Sequence, residues 1–268
     1  LLYMFTPYLQ PTMKGILIPA LILITLVMTM MTAISCKQAA VEKGKENGRS
    51  RVMPPEWAVK ANLYEVNIRQ YTPEGTFESF RQHLPRLKKM GIDILWLMPI
   101  HPIGKEKRKG KLGSPYSVKD YYGINPDYGK PDDFKNLVKA AHALDIRVIL
   151  DWVPNHTSWD AVWKNEHPEY YTRYKGDFTV PINEHGQPID DWSDVCDLDY
   201  GNKATRKAMT EAMQYWLREF DVDGYRVDMA GLVPNDFWEE VRPALDSVKV
   251  PFMLAEWQDE PRHFNSCF

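Results

Sequence analysis

From residue 57 onward, short apolar runs alternate with helical stripes, and this alternation constrains the fold more than any other feature. Residues 62–68 (NLYEVNI), 93–98 (DILWLM), 147–151 (RVILD), 222–228 (VDGYRVD) and 252–256 (FMLAE) each read as a strand. Between the first two, Phe77, Phe80, Leu84 and Leu87 recur at three- and four-residue spacing, the apolar stripe of one helix. Pro131 opens a second helix, where Phe134, Leu137, Val138 and Ala141 share a face. Asn202 can cap a third, running to Phe220 and buried through Ala208, Met209, Ala212, Trp216 and Phe220. A shorter helix is expected at 236–241. Short apolar strands separated by helices imply a parallel sheet covered on both faces. Pattern alone leaves a doubly wound sheet and a barrel both open.

Three of these strands end in an ionisable group: Asp151, Asp228 and Glu256. In parallel α/β folds the carboxyl ends of the strands carry the site. Period-two alternation puts Val222, Gly224, Arg226 and Asp228 on one face, so Arg226 stands beside Asp228. A neighbouring guanidinium is expected to lower the Asp228 pKa and keep it ionised, as a nucleophile requires. Glu256 follows apolar FMLA and precedes Trp257, a wall that disfavours a charged carboxylate and suits a general acid. One ionised and one protonated carboxylate on adjacent strands match glycoside hydrolysis, where a retaining enzyme holds them about 5–5.5 Å apart. The plainer reading is structural salt bridging, and Arg226 beside Asp228 weighs against it.

These residues resemble the α-amylase family of glycoside hydrolases (glycoside hydrolase family 13). Asp151-Trp-Val-Pro-Asn155-His156 resembles its first signature region, Gly224-Tyr-Arg226-Val-Asp228 its second and Ala255-Glu256-Trp257 its third. Cys196-Asp197-Leu198-Asp199 is similar to a short region of the family's domain B. Gly113-Ser-Pro-Tyr116 resembles the start of the loop that brings a tyrosine under the sugar. The resemblance covers most of residues 57–260 and implies a TIM (β/α)8 barrel with a domain B inserted after strand three, at about 155–200. It implies a retaining mechanism on α-1,4-glucans through a covalent glycosyl-enzyme, with Asp228 as nucleophile, Glu256 as acid/base and Arg226 orienting Asp228. It assigns His156 to sugar hydroxyls, Tyr116 to stacking on the ring and Asp151 to holding Arg226, and places Trp257 at the substrate. Of Trp159, Trp163 and Trp192, some are expected to stack on glucan and most to be local core.

Two departures from the family pattern matter. Asn155 and Asp197 align with calcium ligands of many members, and oxygen ligands suit that ion. Leu232, however, stands where calcium-binding members carry histidine. No organic cofactor is implied. The family's fourth signature, a His-Asp pair near strand seven, has no counterpart, and the chain ends at about the fifth strand. Residues 57–268 are therefore expected to form a barrel truncated after strand five, poorly active alone, since a complete barrel takes about 250 residues. A same-family transglycosylase or branching enzyme is the rival within the enzyme class. A non-catalytic glucan-binding surface lipoprotein is the rival outside it.

The N-terminus reads as an export signal. Residues 15–34 carry no charge, Lys14 precedes them, and Ser35 and Cys36 follow. An uncleaved membrane anchor is the alternative. Ala33-Ile34-Ser35-Cys36 resembles a bacterial lipobox, with Ala33 where leucine is usual, so Cys36 is expected to carry lipid. The expected order is upstream translation at 1–12, a signal at 13–35, a polar tether at 36–56 and the catalytic region at 57–268. The product would be a membrane-anchored lipoprotein facing the periplasm or cell surface, or alternatively a secreted protein.

With 36 acidic against 33 basic residues and a net charge of −3, the chain is not built around nucleic acid. The basic run 105–111 (KEKRKGK) reads as a solvated loop. His83 and His142 read as surface or satisfied histidines. Cys196 and Cys267 read as free thiols in preference to a disulfide. The acidic group Asp190, Asp191, Asp194 and Asp197 fits a cation or ordinary turn chemistry equally well.

Overall fold

Five parallel strands organise the molecule: β1 (Leu63–Val66), β2 (Ile94–Leu97), β3 (Arg147–Trp152), β4 (Gly224–Val227) and β5 (Phe252–Ala255). The computed structural model describes residues 53–183 and 185–257. The expected leader at 13–35, Cys36, residues 1–12, most of the tether and Cys267 lie outside the described residues. Among the described residues no helix is long and apolar enough to cross a membrane. Each strand falls within a run read from the sequence, or one residue beyond it.

The strands lie in the order in which they occur, each parallel to the last. A doubly wound sheet reverses its order at a switch point, whereas a barrel does not. The order decides for the barrel. Among the described residues the sheet is open, with β1 and β5 at its edges.

The long helices are α1 (Pro131–Ala143), α2 (Lys203–Glu219) and α3 (Asn235–Asp246), and two short ones, Phe77–Arg81 and Leu84–Lys89, precede α1 where the apolar stripe lies. The latter two replace the single helix expected from the stripe. Thr76 and Ser79 form a capping box on the first, and Pro85 opens the second. Proline has no N–H to donate back into a preceding turn, so the chain restarts there. The stripe survives the break: Phe77, Phe80, Leu84 and Leu87 are all fully buried. On α2 the Asn202 side chain accepts from Ala204 N at 2.8 Å, the cap expected. Helix α3 runs five residues beyond 236–241 and takes Pro243 inside, with Leu245 in the core.

The core lies between sheet and helices, with Trp152, Trp216 and Trp238 among its largest buried side chains. Burying one large apolar side chain stabilises by about 1.5–3 kcal/mol, which anchors the helices over the strands. At the amino end of β4, buried Asp223 accepts from Val148 N at 2.9 Å. It also meets His142 Nε2 at 2.7 Å and Lys249 Nζ at 2.9 Å, so His142 is satisfied. Between β3 and α2 the chain leaves the sheet. There His156–Ser158 pairs antiparallel with Val195–Asp197, and Arg173–Tyr174 with Asp177–Phe178.

Candidate active site

Pleat and register bring the acids together. Asp151 lies opposite Arg226 in the β3–β4 register, and Arg226 lies opposite Leu254 of β5. Asp228 follows β4 by one residue and Glu256 follows β5 by one, so all three acids collect at the carboxyl ends. Arg226 sits among them. Its Nη1 donates to Asp151 Oδ1 at 2.9 Å and to Asp228 Oδ1 at 3.2 Å. Its Nη2 meets Glu256 Oε1 at 2.6 Å. Asp151 lies at the base of the cluster, where its Oδ2 also accepts from Trp96 Nε1 at 3.0 Å and Tyr116 Oη at 3.1 Å.

One cation faces three carboxylates, and that ratio overturns the expected ionisation. Burial drives the Asp228 pKa upward, and the Asp151 charge adds to the rise. Arg226 opposes it and loses, while Glu256 pushes the same way. Asp228 is therefore held above the ordinary carboxylate range, where its neighbour on the strand suggested the reverse. Burial likewise lifts Asp151 to about 6 against Arg226, Trp96 and Tyr116. Glu256 does not stand against an apolar wall. Its side chain is 45% exposed, with one oxygen on Arg226 and the other accepting from Met229 N at 3.0 Å.

A cleft of about 370 Å³ opens over these groups. Tyr116, His156, Arg226, Asp228 and Glu256 line it, as do Ser114, Trp192, Asp194, Val195 and Met229. Burial, then the Asp151 charge, keeps the Tyr116 phenol far above its usual pKa and hence protonated. Burial pushes His156 down to about 4 despite the nearby Asp194 charge, so the ring is neutral at pH 7. A neutral imidazole can both donate to and accept from a hydroxyl. Trp257, expected at the substrate, is not among the residues that line the cleft; its indole packs on Gly231, where a Cβ would come within 2.0 Å of it.

Asn155 and Asp197 form a thin donor set for calcium. Asp197 is buried, which lifts its carboxyl to about 7 although the Thr172 side chain and the Ile182 backbone act to lower it. Asn155 Nδ2 lies 3.3 Å from His156 Nδ1. Calcium takes about 6–8 oxygens. Among the described residues no group of three or more His, Cys, Asp or Glu could hold a metal. The acidic group at 190–197 is turn and ion-pair chemistry: Asp190–Trp192 is a 3-10 turn, and Asp194 pairs with Lys109 at 3.2 Å. Cys196 is a buried free thiol, lifted by burial to about 12.

Sequence reasoning missed Trp96 and Met229. The Arg226 guanidinium lies 4.9 Å from the Trp96 ring centroid, and both residues point to the same side of the sheet. Alternation along β2 could have put Trp96 on one face, but which face meets Asp151 depends on register. Met229 adopts the left-handed conformation (φ 45°, ψ 44°) that aims its N–H at Glu256. A non-glycine residue in that region leaves no trace in sequence.

Comparison with known proteins points to one family. The family model for the alpha amylase catalytic domain matches residues 42–194 and 188–264. Alpha-amylase 3 of Dictyoglomus thermophilum is 30% identical over 231 residues, covering 76% of this chain and 45% of that protein. Among solved structures, an alpha-amylase from Lactobacillus plantarum is 46% identical with a TM-score of 0.68, covering 73% of this chain and 45% of its own. A maltogenic alpha-amylase from Thermotoga neapolitana is 45% identical with a TM-score of 0.68, covering 76% and 47%. The chain thus spans about half the length of these relatives.

Proposed function

The chain belongs to the α-amylase family, and from that premise we propose that the protein is a retaining glycoside hydrolase acting on α-1,4-glucans. The observation that carries the reading is Arg226 bridging Asp151, Asp228 and Glu256 at the floor of an open cleft. Acids crowded around one cation keep a proton among themselves near neutrality, because full ionisation would leave buried charge unpaired. The reaction needs one carboxylate and one carboxylic acid.

In this reading the proton shared among the acids passes to Glu256, which gives it to the glycosidic oxygen while the Asp228 carboxylate so released attacks the anomeric carbon, and the C–O bond breaks. Water, deprotonated by Glu256, then attacks the same carbon and releases Asp228. Glu256 has room to turn from Arg226 toward the leaving group because its side chain is half exposed. Arg226 keeps Asp228 pointed at the cleft, and Asp151 fixes Arg226 from below. Neutral His156 and the protonated Tyr116 phenol offer hydrogen bonds to sugar hydroxyls. No step is routed through calcium.

The test is product analysis of maltoheptaose cleavage by NMR, with Asp228→Asn as control. Maltooligosaccharides released first in the α-anomeric form, and no turnover by the variant, support the reading. β-Anomers would overturn retention, and branched or isomerised products would move the protein to the transglycosylases. The intact Asp228, Arg226 and Glu256 set speaks against a purely glucan-binding role. We further propose export and lipid attachment at Cys36. Fatty-acid labelling in a bacterial host checks this, and label retained in Cys36→Ser would overturn it.

A further inference from the structure

We infer that Trp192 is the sugar-stacking platform of this cleft, and that Lys109 is a positioning residue that holds it there through Asp194. The inference rests on the glucan-cleaving reading and adds residues to it. Of the three tryptophans between β3 and α2, Trp192 alone lines the cleft. Trp159 and Trp163 are each only 8% exposed. Lys107 Nζ covers the Trp159 ring at 3.2 Å from its centroid, and Tyr121 and Tyr170 pack on Trp163. Trp192 is half-buried and meets the His156 ring at a steep angle, with centroids 5.6 Å apart. An indole in this position suits the apolar face of a pyranose, with an N–H left for a hydroxyl.

A platform has to be rigid, and Trp192 stands on a one-turn 3-10 segment inside a long excursion from the sheet. The residues around it are tied down individually. Lys109 Nζ donates to the Asp191 carbonyl and pairs with Asp194 Oδ1 at 3.2 Å. Ser117 Oγ donates to the Asp194 carbonyl at 3.0 Å, and Trp159 Nε1 donates to the Ser193 carbonyl at 3.0 Å. Lys109 and Ser117 belong to the segment after β2 that also carries Ser114 and Tyr116 of the cleft. The clasp thus fastens one cleft-lining segment to the other. The Asp194 side chain is only 9% exposed, so losing Lys109 would leave a nearly buried charge without its partner cation. Lys109 itself is half exposed and partly screened, so it is the burial of Asp194 that sets this pair apart from fully exposed ones, which contribute little. The basic run read as a solvated loop is pinned at three successive cations. Lys107 lies on Trp159, Arg108 donates to the Gly104 and Ile103 carbonyls, and Lys109 holds Asp194.

Calorimetric titration of the protein with maltoheptaose tests the platform. Trp192→Ala is expected to weaken binding at least ten-fold, and Trp192→Phe less than three-fold. Lys109→Met should weaken it about five-fold and raise KM more than it lowers kcat, with Lys109→Arg restoring both. Hydrogen exchange tests the clasp without ligand: residues 189–195 should exchange faster in Lys109→Met and recover in Lys109→Arg. Wild-type binding with Trp192→Ala unchanged overturns the platform, and unchanged exchange in Lys109→Met overturns the clasp. A wild-type protein that binds no maltoheptaose overturns the glucan reading and the platform with it, whereas the exchange result still judges the clasp.

Discussion

Arg226→Met is expected to destabilise the protein far more at neutral pH than in acid. The guanidinium lies 2.9 Å from Asp151, 3.2 Å from Asp228 and 2.6 Å from Glu256. The Asp151 and Asp228 side chains are 0% and 10% exposed, so water cannot replace the lost cation. Glu256 is half exposed, and its share is screened. Stripping one partner from a buried pair costs about 3–5 kcal/mol. For a domain of this size Tm falls by about 2–4 °C per kcal/mol, so a loss of roughly 6–20 °C is expected at pH 7.5. Linkage sets the sign with pH. Asp151 is lifted from 3.8 to about 6, so the folded state holds its proton more tightly than the unfolded chain. Ionisation of Asp151 therefore erodes stability as pH rises from about 4 to 6. Without Arg226 that erosion extends above pH 6, whereas well below it the buried Asp151 and Asp228 carboxyls are neutral and need no cation. Near pH 4.5 the cost should shrink to about 1 kcal/mol, the share of packing and neutral hydrogen bonds. Urea unfolding followed by circular dichroism at the two pH values measures the difference. A cost that is equal at both, or larger in acid, refutes the one-cation, three-acid account.

Three further outcomes are expected. Gly224→Ala should cost more than about 3 kcal/mol in urea unfolding, because a Cβ there would lie 1.9 Å from the Phe252 carbonyl oxygen at φ +151°, a backbone clash no rotamer relieves. Asp223→Asn should lower stability by about 2–4 kcal/mol at pH 7 by breaking its buried contacts with His142 and Lys249. Burial pushes the Asp223 carboxyl up, but the His142 hydrogen bond and the Lys249 charge outweigh it and hold it below 3.8. That stabilisation is present above 3.8 and lost as pH falls through the folded value, so thermal scans of wild type and Asp223→Asn should converge in strong acid. Dialysis against EDTA should leave Tm unchanged, given the thin donor set at Asn155 and Asp197, and a fall of several degrees would reinstate calcium.

Local patterning is written in the chain because its periods are short. Apolar runs of strand length, the Phe77–Leu87 stripe and the Asn202 cap could be read directly, and alternation within 222–228 placed Arg226 beside Asp228. The helix break at Pro85 and the reach of α3 through Pro243 were less legible, since packing there outweighs propensity. Relations across distance came only with the tertiary structure. Asp151 and Arg226 are 75 residues apart, and only strand register makes them partners. The same register sets Trp96 against Asp151 and surrounds one guanidinium with three acids, which reverses the Asp228 ionisation inferred from its neighbour alone. Lys109 and Asp194 meet only because two excursions from the sheet fold over one cleft. The sequence alone therefore singled out Asp151, Arg226, Asp228 and Glu256 and the strands on which they stand. Burial and the sharing of charge needed the tertiary structure, because a carboxylate's ionisation depends on every charge within a few ångströms and on the water excluded around it.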